Sequence, residues 1–442
     1  MCLVRHAFYQ RSGVGEIILG LSAATLEQIA EVVGTPAYVY HADAIRDRYR
    51  ELTDALAPFS HRICYSVKAN SNLAVLGLLR SLGAGADIVS GGELERVLRA
   101  GFAGESIVFS GVAKTAAELA GALDAGVGLI NVESRAELRE LDRVAQEKDI
   151  IARFGIRVNP DVVTDTHPYT QTGERGMKFG VPMQEVLDLA CWGHGREHLE
   201  LRGIGMHIGS QITSAENYRE GASKLAGLVA DLRGAGVGTL QSVDVGGGLG
   251  IRYTDERALP AAEFAAAVKS LLEVTGLTLL VEPGRFLVGN AGVLLTRCVY
   301  RKKSGRRNFV VVDAGMNDFL RPSHYGAVHD IRTVSDSAGD PAPVAERCDV
   351  VGPICETGDF LGFERDLRAV GSGSLLAVLG AGAYGFTMSS IYNSRPRPAE
   401  VLIDGDQWAI VREREKVADL MRGEVLLGQA GLQWRTVVEG RG

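Results

Sequence analysis

Cysteine is scarce in this 442-residue chain, long apolar runs and extended basic tracts are missing, and each absence removes a class of function. The six cysteines lie scattered, with no CxxC pair and no metal-ligand spacing. Neither a zinc centre nor a disulfide framework is expected, and a reducing, cytoplasmic setting fits. No apolar stretch approaches the roughly 20 residues that cross a bilayer, so no membrane association is expected. The segment "EIILGLSAA" (16–24) begins with an acid and runs into the helical "TLEQIAEVVG", so it is not read as a signal peptide. The longest basic run, "RKKSGRR" (301–307), has the pattern of a hairpin loop between strands. With a net charge of -7, nucleic acid is not an expected partner. Thirteen prolines against 55 glycines give no low-complexity segment, and the length suffices for two or three domains.

Eight short apolar runs recur between residues 62 and 282: "RICYSV", "ADIV", "SIVFS", "GLINV", "FGIRVN", "GIGMHI", "SVDVGG" and "LTLLVE". Stretches such as "GELERVLRAG" and "SRAELRELDRVAQE" separate them, with apolar residues at helical spacing and charges opposite. Strands alternating with helices in this number predict an α/β fold, a parallel (β/α)8 TIM barrel. A doubly wound open sheet is the alternative, but the G-x-G-x-x-G turn is missing after the first strand. Between the fifth and sixth strands, "THPYTQTGERGMKFG" (166–180) reads as an inserted loop ahead of a helix.

Beyond about residue 295 the alternation stops. "NFVVVDAG", "CDVVGPIC", "LLAVLGAGAYG", "AEVLIDGDQWAIV" and "GLQWRTVV" predict short strands in a C-terminal all-β domain. The expected organisation is an N-terminal segment, 1–30, joining the β-domain; a barrel over 31–295; and the β-domain over 296–442.

Barrel enzymes carry their chemistry at the C-terminal ends of the strands. Those ends hold Lys68 and Asn70, Asp87, Ser110, Asn131, Asn159, His207 with Ser210, the glycines 246–248, and "EPGR" (282–285). A lone lysine is most often a surface residue with a snorkelling stem, but Lys68 closes the first apolar run, in "YSVKAN". It becomes one member of a ring. The "DVGGGLGI" turn and "EPGR" follow the seventh and eighth strands, where this fold usually binds phosphate, and glycine lets backbone N–H groups approach it.

A lysine in a partly buried pocket beside a phosphate site suggests pyridoxal phosphate. Desolvation is expected to lower the amine pKa and make the nitrogen nucleophilic. Glu282 is placed to hold the pyridine nitrogen protonated, and His207 offers an aromatic face to the ring.

These residues, with "HIGSQ", "GMNDFLRPSHYGAVH", "GPICETGDF" and "GAYGFTMSSIYNSRPRPAEVL", make the chain resemble diaminopimelate decarboxylase over almost its whole length. The resemblance implies an alanine racemase-like architecture, a homodimer with shared active sites, and the last step of lysine biosynthesis. It implies that Lys68 is the Schiff-base lysine and Cys355 the catalytic cysteine. Asp87, His207, Ser210, Gly247, Gly248, Glu282, Gly284, Arg285 and Tyr384 would contact the cofactor. Arg285, Arg321, Tyr325, Glu356 and Tyr384 would contact meso-diaminopimelate. Thr357 stands where the family more often has serine. Whether Cys355 or Lys68 returns the proton to the substrate carbon stays open.

Two other functions fit parts of the pattern. A decarboxylase of the ornithine or arginine type would handle a distal amine or guanidine and have no use for two arginines. A non-catalytic homologue that only binds pyridoxal phosphate would be expected to lose Lys68 or Cys355.

Overall fold

The computed structural model describes residues 21–163, 167, 172–174, 176–334, 345–367 and 370–427. The expected strand in "GLQWRTVV", much of the inserted loop and the first 20 residues lie outside these. Eight strands form a closed parallel barrel: His61–Ser66, Gly85–Ile88, Ile107–Phe109, Leu129–Val132, Ala152–Asn159, Leu199–Met206, Ser242–Asp244 and Thr278–Val281. Closure comes from the last strand pairing with the first, Leu279 opposite His61 and Val281 opposite Ile63. All eight expected strands are present, and the open-sheet alternative is excluded.

The barrel strands are apolar because both faces are covered, one by the barrel interior and one by helices. Local signals start those helices where the strands end. Ser90 and Ser134 accept hydrogen bonds from the N–H of Glu93 and Glu137, and Thr115 with Glu118 forms a capping box. The eighth helix of the ring is Ala42–Leu56, which precedes the first strand and packs between the helices Ala261–Thr275 and Leu73–Ser81. After the eighth strand there is only the short helix Arg285–Val288.

A second, mostly antiparallel sheet holds nine described strands. Gly292–Ser304 and Arg307–Val312 form the hairpin expected around "RKKSGRR". The strand Ala37–His41 lies beyond the boundary expected at residue 31. Its two edges are taken by Gly292–Leu295 and by Ala399–Ile403, so it is an interior strand of this sheet rather than part of the barrel. The helix Ala23–Val33 packs on the same sheet through Leu26, Ile29 and Ala30.

A buried carboxylate ties the two parts together. Glu400 accepts from the Tyr40 hydroxyl at 2.8 Å, from the Asn72 amide at 3.0 Å and from Arg412. Asn72 also caps the helix Leu73–Ser81, directly after the "YSVKAN" turn.

Candidate active site

The strand ends converge as the sequence predicts. Ser66 and Asp87 are register partners on adjacent strands. Asp87 is buried, and its Oδ2 accepts from Ser66 Oγ at 2.5 Å and from Lys68 Nζ at 3.1 Å. The Lys68 side chain is 35% exposed, reaching up from a short 3-10 turn into the mouth of the barrel. One expectation is overturned here. Burial does pull the Lys68 amine down, but Asp87, then Tyr384 and Glu282, push it up further, and the net displacement is above the ordinary lysine value. In the chain alone, Lys68 is a paired ammonium.

Opposite it, Glu282 is buried and accepts from Ser110 Oγ at 3.2 Å, while Asn131 donates to the same hydroxyl at 3.1 Å. Burial, Asp244 and Asp87 raise the Glu282 carboxyl well above the usual range. Asp244 is itself raised to about 6, chiefly by burial. Three carboxyl groups against one lysine leave a site that favours an added positive charge. Asp87 Oδ1 is buried without a hydrogen-bond partner among the described residues, and Asp244 shares a side-chain hydrogen bond with Glu282. A protonated pyridine nitrogen facing Glu282 suits that environment.

His207 follows the sixth strand, and its Nδ1 accepts from the Gly247 N–H at 3.1 Å. Its proton therefore sits on Nε2, and burial, Arg157 and Lys68 hold its pKa well below the ordinary value. The ring is neutral and locked beside the glycine turn. That turn must be glycine. A Cβ on Gly247 would lie 2.1 Å from the Glu282 carbonyl oxygen, and Gly248 has a φ of +90° with the Gly209 carbonyl 2.4 Å from a Cβ. Gly247 thus packs the seventh strand end against the eighth, with its N–H spent on His207. Gly284 is less tightly held: a Cβ there would meet the Cβ atoms of Ala69 and Ser66 at 3.0 and 3.1 Å. The residues fit pyridoxal phosphate: an amine, a neutral ring, an acid, and a close-packed glycine turn where phosphate would lie.

Beside this group lies a cavity of about 470 Å3 lined by Gln211, Tyr253, Arg285, Arg321 and Tyr325. Arg285 is 7% and Arg321 6% exposed. Arg285 donates to Tyr253 Oη at 2.5 Å and to Ser210 Oγ at 2.8 Å, with the Tyr384 ring centred 4.8 Å from its guanidinium. Arg321 lies over the rings of Tyr253 and Tyr325, at 5.2 and 5.7 Å. Neither guanidinium pairs with a carboxylate among the described residues. Glu256, which also lines the cavity, is tied to the N–H groups of Tyr253 and Thr254.

Tyr384 comes from the β-domain and joins this group within one chain, its N–H donating to the Ala69 carbonyl at 2.8 Å. Cys355 and Glu356 stand apart. Both are exposed on the connection between Glu346–Val351 and Phe360–Leu367. The Cys355 N–H donates to Asn393 at 2.9 Å, and Glu356 bonds the exposed Tyr392 hydroxyl. Sequence reasoning missed Ser66, Asp244, Tyr253 and His329 in this region. Tyr253 sits two residues beyond the quoted "DVGGGLGI" block, the nearest signal it had.

Comparison with known proteins identifies the family. The family model described as pyridoxal-dependent decarboxylase, pyridoxal binding domain, matches residues 42–289. The diaminopimelate decarboxylase of Pseudomonas aeruginosa is 50% identical over 91% of this chain and 96% of that protein. That of Vibrio cholerae is 44% identical over 91% and 95%. The crystal structure of the Helicobacter pylori diaminopimelate decarboxylase complexed with L-lysine superposes with a TM-score of 0.86 at 40% identity, covering 90% of this chain and 98% of that one. The chain belongs to the diaminopimelate decarboxylase family of pyridoxal-phosphate-dependent carboxy-lyases.

Proposed function

We propose that this chain converts meso-2,6-diaminopimelate to L-lysine and CO2, the last step of lysine biosynthesis, with pyridoxal phosphate held at Lys68. One observation carries the substrate assignment: two buried guanidinium groups, Arg285 and Arg321, line one cavity without a carboxylate partner among the described residues. Buried cations need an anion, and a planar guanidinium matches a carboxylate with two parallel hydrogen bonds. A substrate whose far end is an amino acid supplies that anion. A diamine-forming substrate of the ornithine type would supply a further cation and leave both arginines unpaired.

When bound, pyridoxal phosphate supplies the electron sink for the bond to the departing carboxylate. Glu282 would keep the pyridine nitrogen protonated, its side chain fixed through Ser110 and Asn131. His207 would offer its neutral ring to the cofactor's face. Asp87 would hold the Lys68 amine at the mouth of the barrel through their 3.1 Å contact. Gly247, Gly248 and Gly284 keep the phosphate end of the site free of side chains, with Ser210 and Tyr384 bordering it. Arg285, Arg321 and Tyr325 hold the distal amino acid.

The active enzyme is a homodimer with shared sites. Cys355 and Glu356 are exposed on their own chain, away from the Lys68 group, so they complete the site of a second copy. There Glu356 takes the distal ammonium, and Cys355, beside Lys68, is available to return a proton to the substrate carbon. The five described cysteines are all free thiols, which supports a reducing cytoplasm. Among the described residues no helix is long and apolar enough to cross a membrane. The test is lysine release from meso-diaminopimelate by the cofactor-loaded protein. Faster turnover of ornithine, arginine or lysine would replace the assignment, and no turnover of any would return the chain to a binding role.

A further inference from the structure

We infer that His329 is a positioning residue that selects which edge of Arg321 faces the substrate. The inference rests on the reading of Arg321 as a carboxylate clamp and adds the device that aims it.

His329 is 0% exposed and lies eight residues beyond Arg321, past the short helix Arg321–Tyr325. Its Nδ1 stands 2.8 Å from the Leu379 carbonyl oxygen, an acceptor only, so the ring proton is on Nδ1. Nε2 therefore carries a lone pair, and it accepts from Arg321 Nε at 3.2 Å. The ring cannot tilt away. Phe319 and Tyr253 meet it edge-on from two sides, each at 4.7 Å between centroids. Burial and Arg321 hold its pKa well below the ordinary value, which agrees with a neutral acceptor.

A guanidinium can meet a carboxylate through its side edge, Nε with one Nη, or through its end edge, both Nη atoms. With Nε committed to His329, only the end edge of Arg321 remains. Tyr253 makes this a shared platform: its ring lies under Arg321 while its hydroxyl accepts from Arg285. The two cations are thereby set at fixed angles to one cavity. A histidine that merely filled the core would not need an unprotonated Nε2 aimed at a guanidinium.

The test compares cofactor-loaded His329→Asn and His329→Gln enzymes. Asparagine keeps a donor toward Leu379 and loses the acceptor for Arg321; glutamine places an oxygen where Nε2 was. The Asn variant should raise KM for meso-diaminopimelate and Ki for L-lysine by about ten- to a hundredfold, the loss of a hydrogen bond to a charged group. Its kcat should stay within about threefold, and its Ki for cadaverine, which has no carboxylate, should not move. The Gln variant should bind like the parent. Equal behaviour of the two variants, or parallel losses for lysine and cadaverine, would overturn the inference. If the Asn variant does not fold, His329→Met, equal in size to Gln and without its amide, takes its place. Arg321→Lys separates the two levels of the argument. If it raises KM and the lysine Ki while the His329 variants do not, only the positioning role falls. If it changes neither, the clamp falls and the inference with it.

Discussion

Lys68 and Asp87 are joined at 3.1 Å across the ends of two neighbouring strands, and that pairing favours the charged form of the Lys68 amine. Attack on an aldehyde needs the neutral amine, so with Lys68 as the proposed cofactor lysine Asp87 should set the pH at which the chain takes up pyridoxal phosphate. Asp87→Asn should displace the pH dependence of uptake downward by about a unit or more, followed through the visible absorbance of the loaded protein. Borohydride should fix the cofactor on Lys68, and Lys68→Ala should show no fixation. Coincident uptake profiles for parent and Asp87→Asn would remove Asp87 from this role.

Arg285 and Arg321 should separate substrates by their far ends. Removing either by alanine leaves a buried carboxylate without its partner, at a cost of about 2–5 kcal/mol, or tens to thousands of fold in kcat/KM. The loss should be specific to diaminopimelate. Variants that lose activity on ornithine in the same proportion would show that the arginines act on the fold, not on the substrate.

Shared sites can be tested by complementation. Lys68→Ala and Cys355→Ala should each be nearly inactive alone. Mixed after dissociation and reassociation, they form heterodimers in which one of two equivalent sites has both residues intact. Activity should return on mixing. Heterodimers seen by mass measurement but without activity would place Lys68 and Cys355 in one chain's site.

Asp318 gives a prediction away from the chemistry. It is buried behind the short helix Arg321–Tyr325, accepts from the Gly315 N–H at 2.9 Å, and burial pushes it up to about 7. In the unfolded chain the same carboxyl titrates near ~4. The native state therefore holds a proton that the unfolded state has released, and stability falls as pH rises from about 4 through about 7. Asp318→Asn should remove that slope. Its unfolding free energy should match the parent near pH 4 and exceed it at pH 8, by at most about 4 kcal/mol. Parallel curves across this range would contradict the assignment.

The barrel was legible because its strands are buried on both faces and so stand out as continuous apolar runs between amphipathic helices. The strand Ala37–His41 was not, since "AYVYH" is equally apolar and precedes a helix just as a barrel strand would. Only its pairing with residues 292–295 and 399–403 tells the two apart. The gathering of Lys68, His207, Glu282 and the glycine turn at one mouth could be read from position, because strand ends in a barrel must converge. The direction of the Lys68 shift could not, since it depends on a 3.1 Å contact rather than on burial. Tyr253 and His329 escaped for the same reason: their meaning lies in Arg285 and Arg321, segments away.

The strand Ala37–His41 lies antiparallel to the start of Gly292–Ser304, with Tyr40 opposite Gly292. Topologically, then, the whole barrel is the loop of a β-hairpin. Its two ends are clamped at one strand spacing, and a free chain of that length would close such a hairpin only at a large entropic cost. A folded barrel removes that cost by delivering the two ends side by side. The centre of the sheet is thus conditional on the barrel, and in pulse-labelled refolding the amides of residues 37–41 should gain protection no earlier than those of residues 61–66 and 278–281. The hydrogen bonds at the heart of one domain are licensed by the closure of the other.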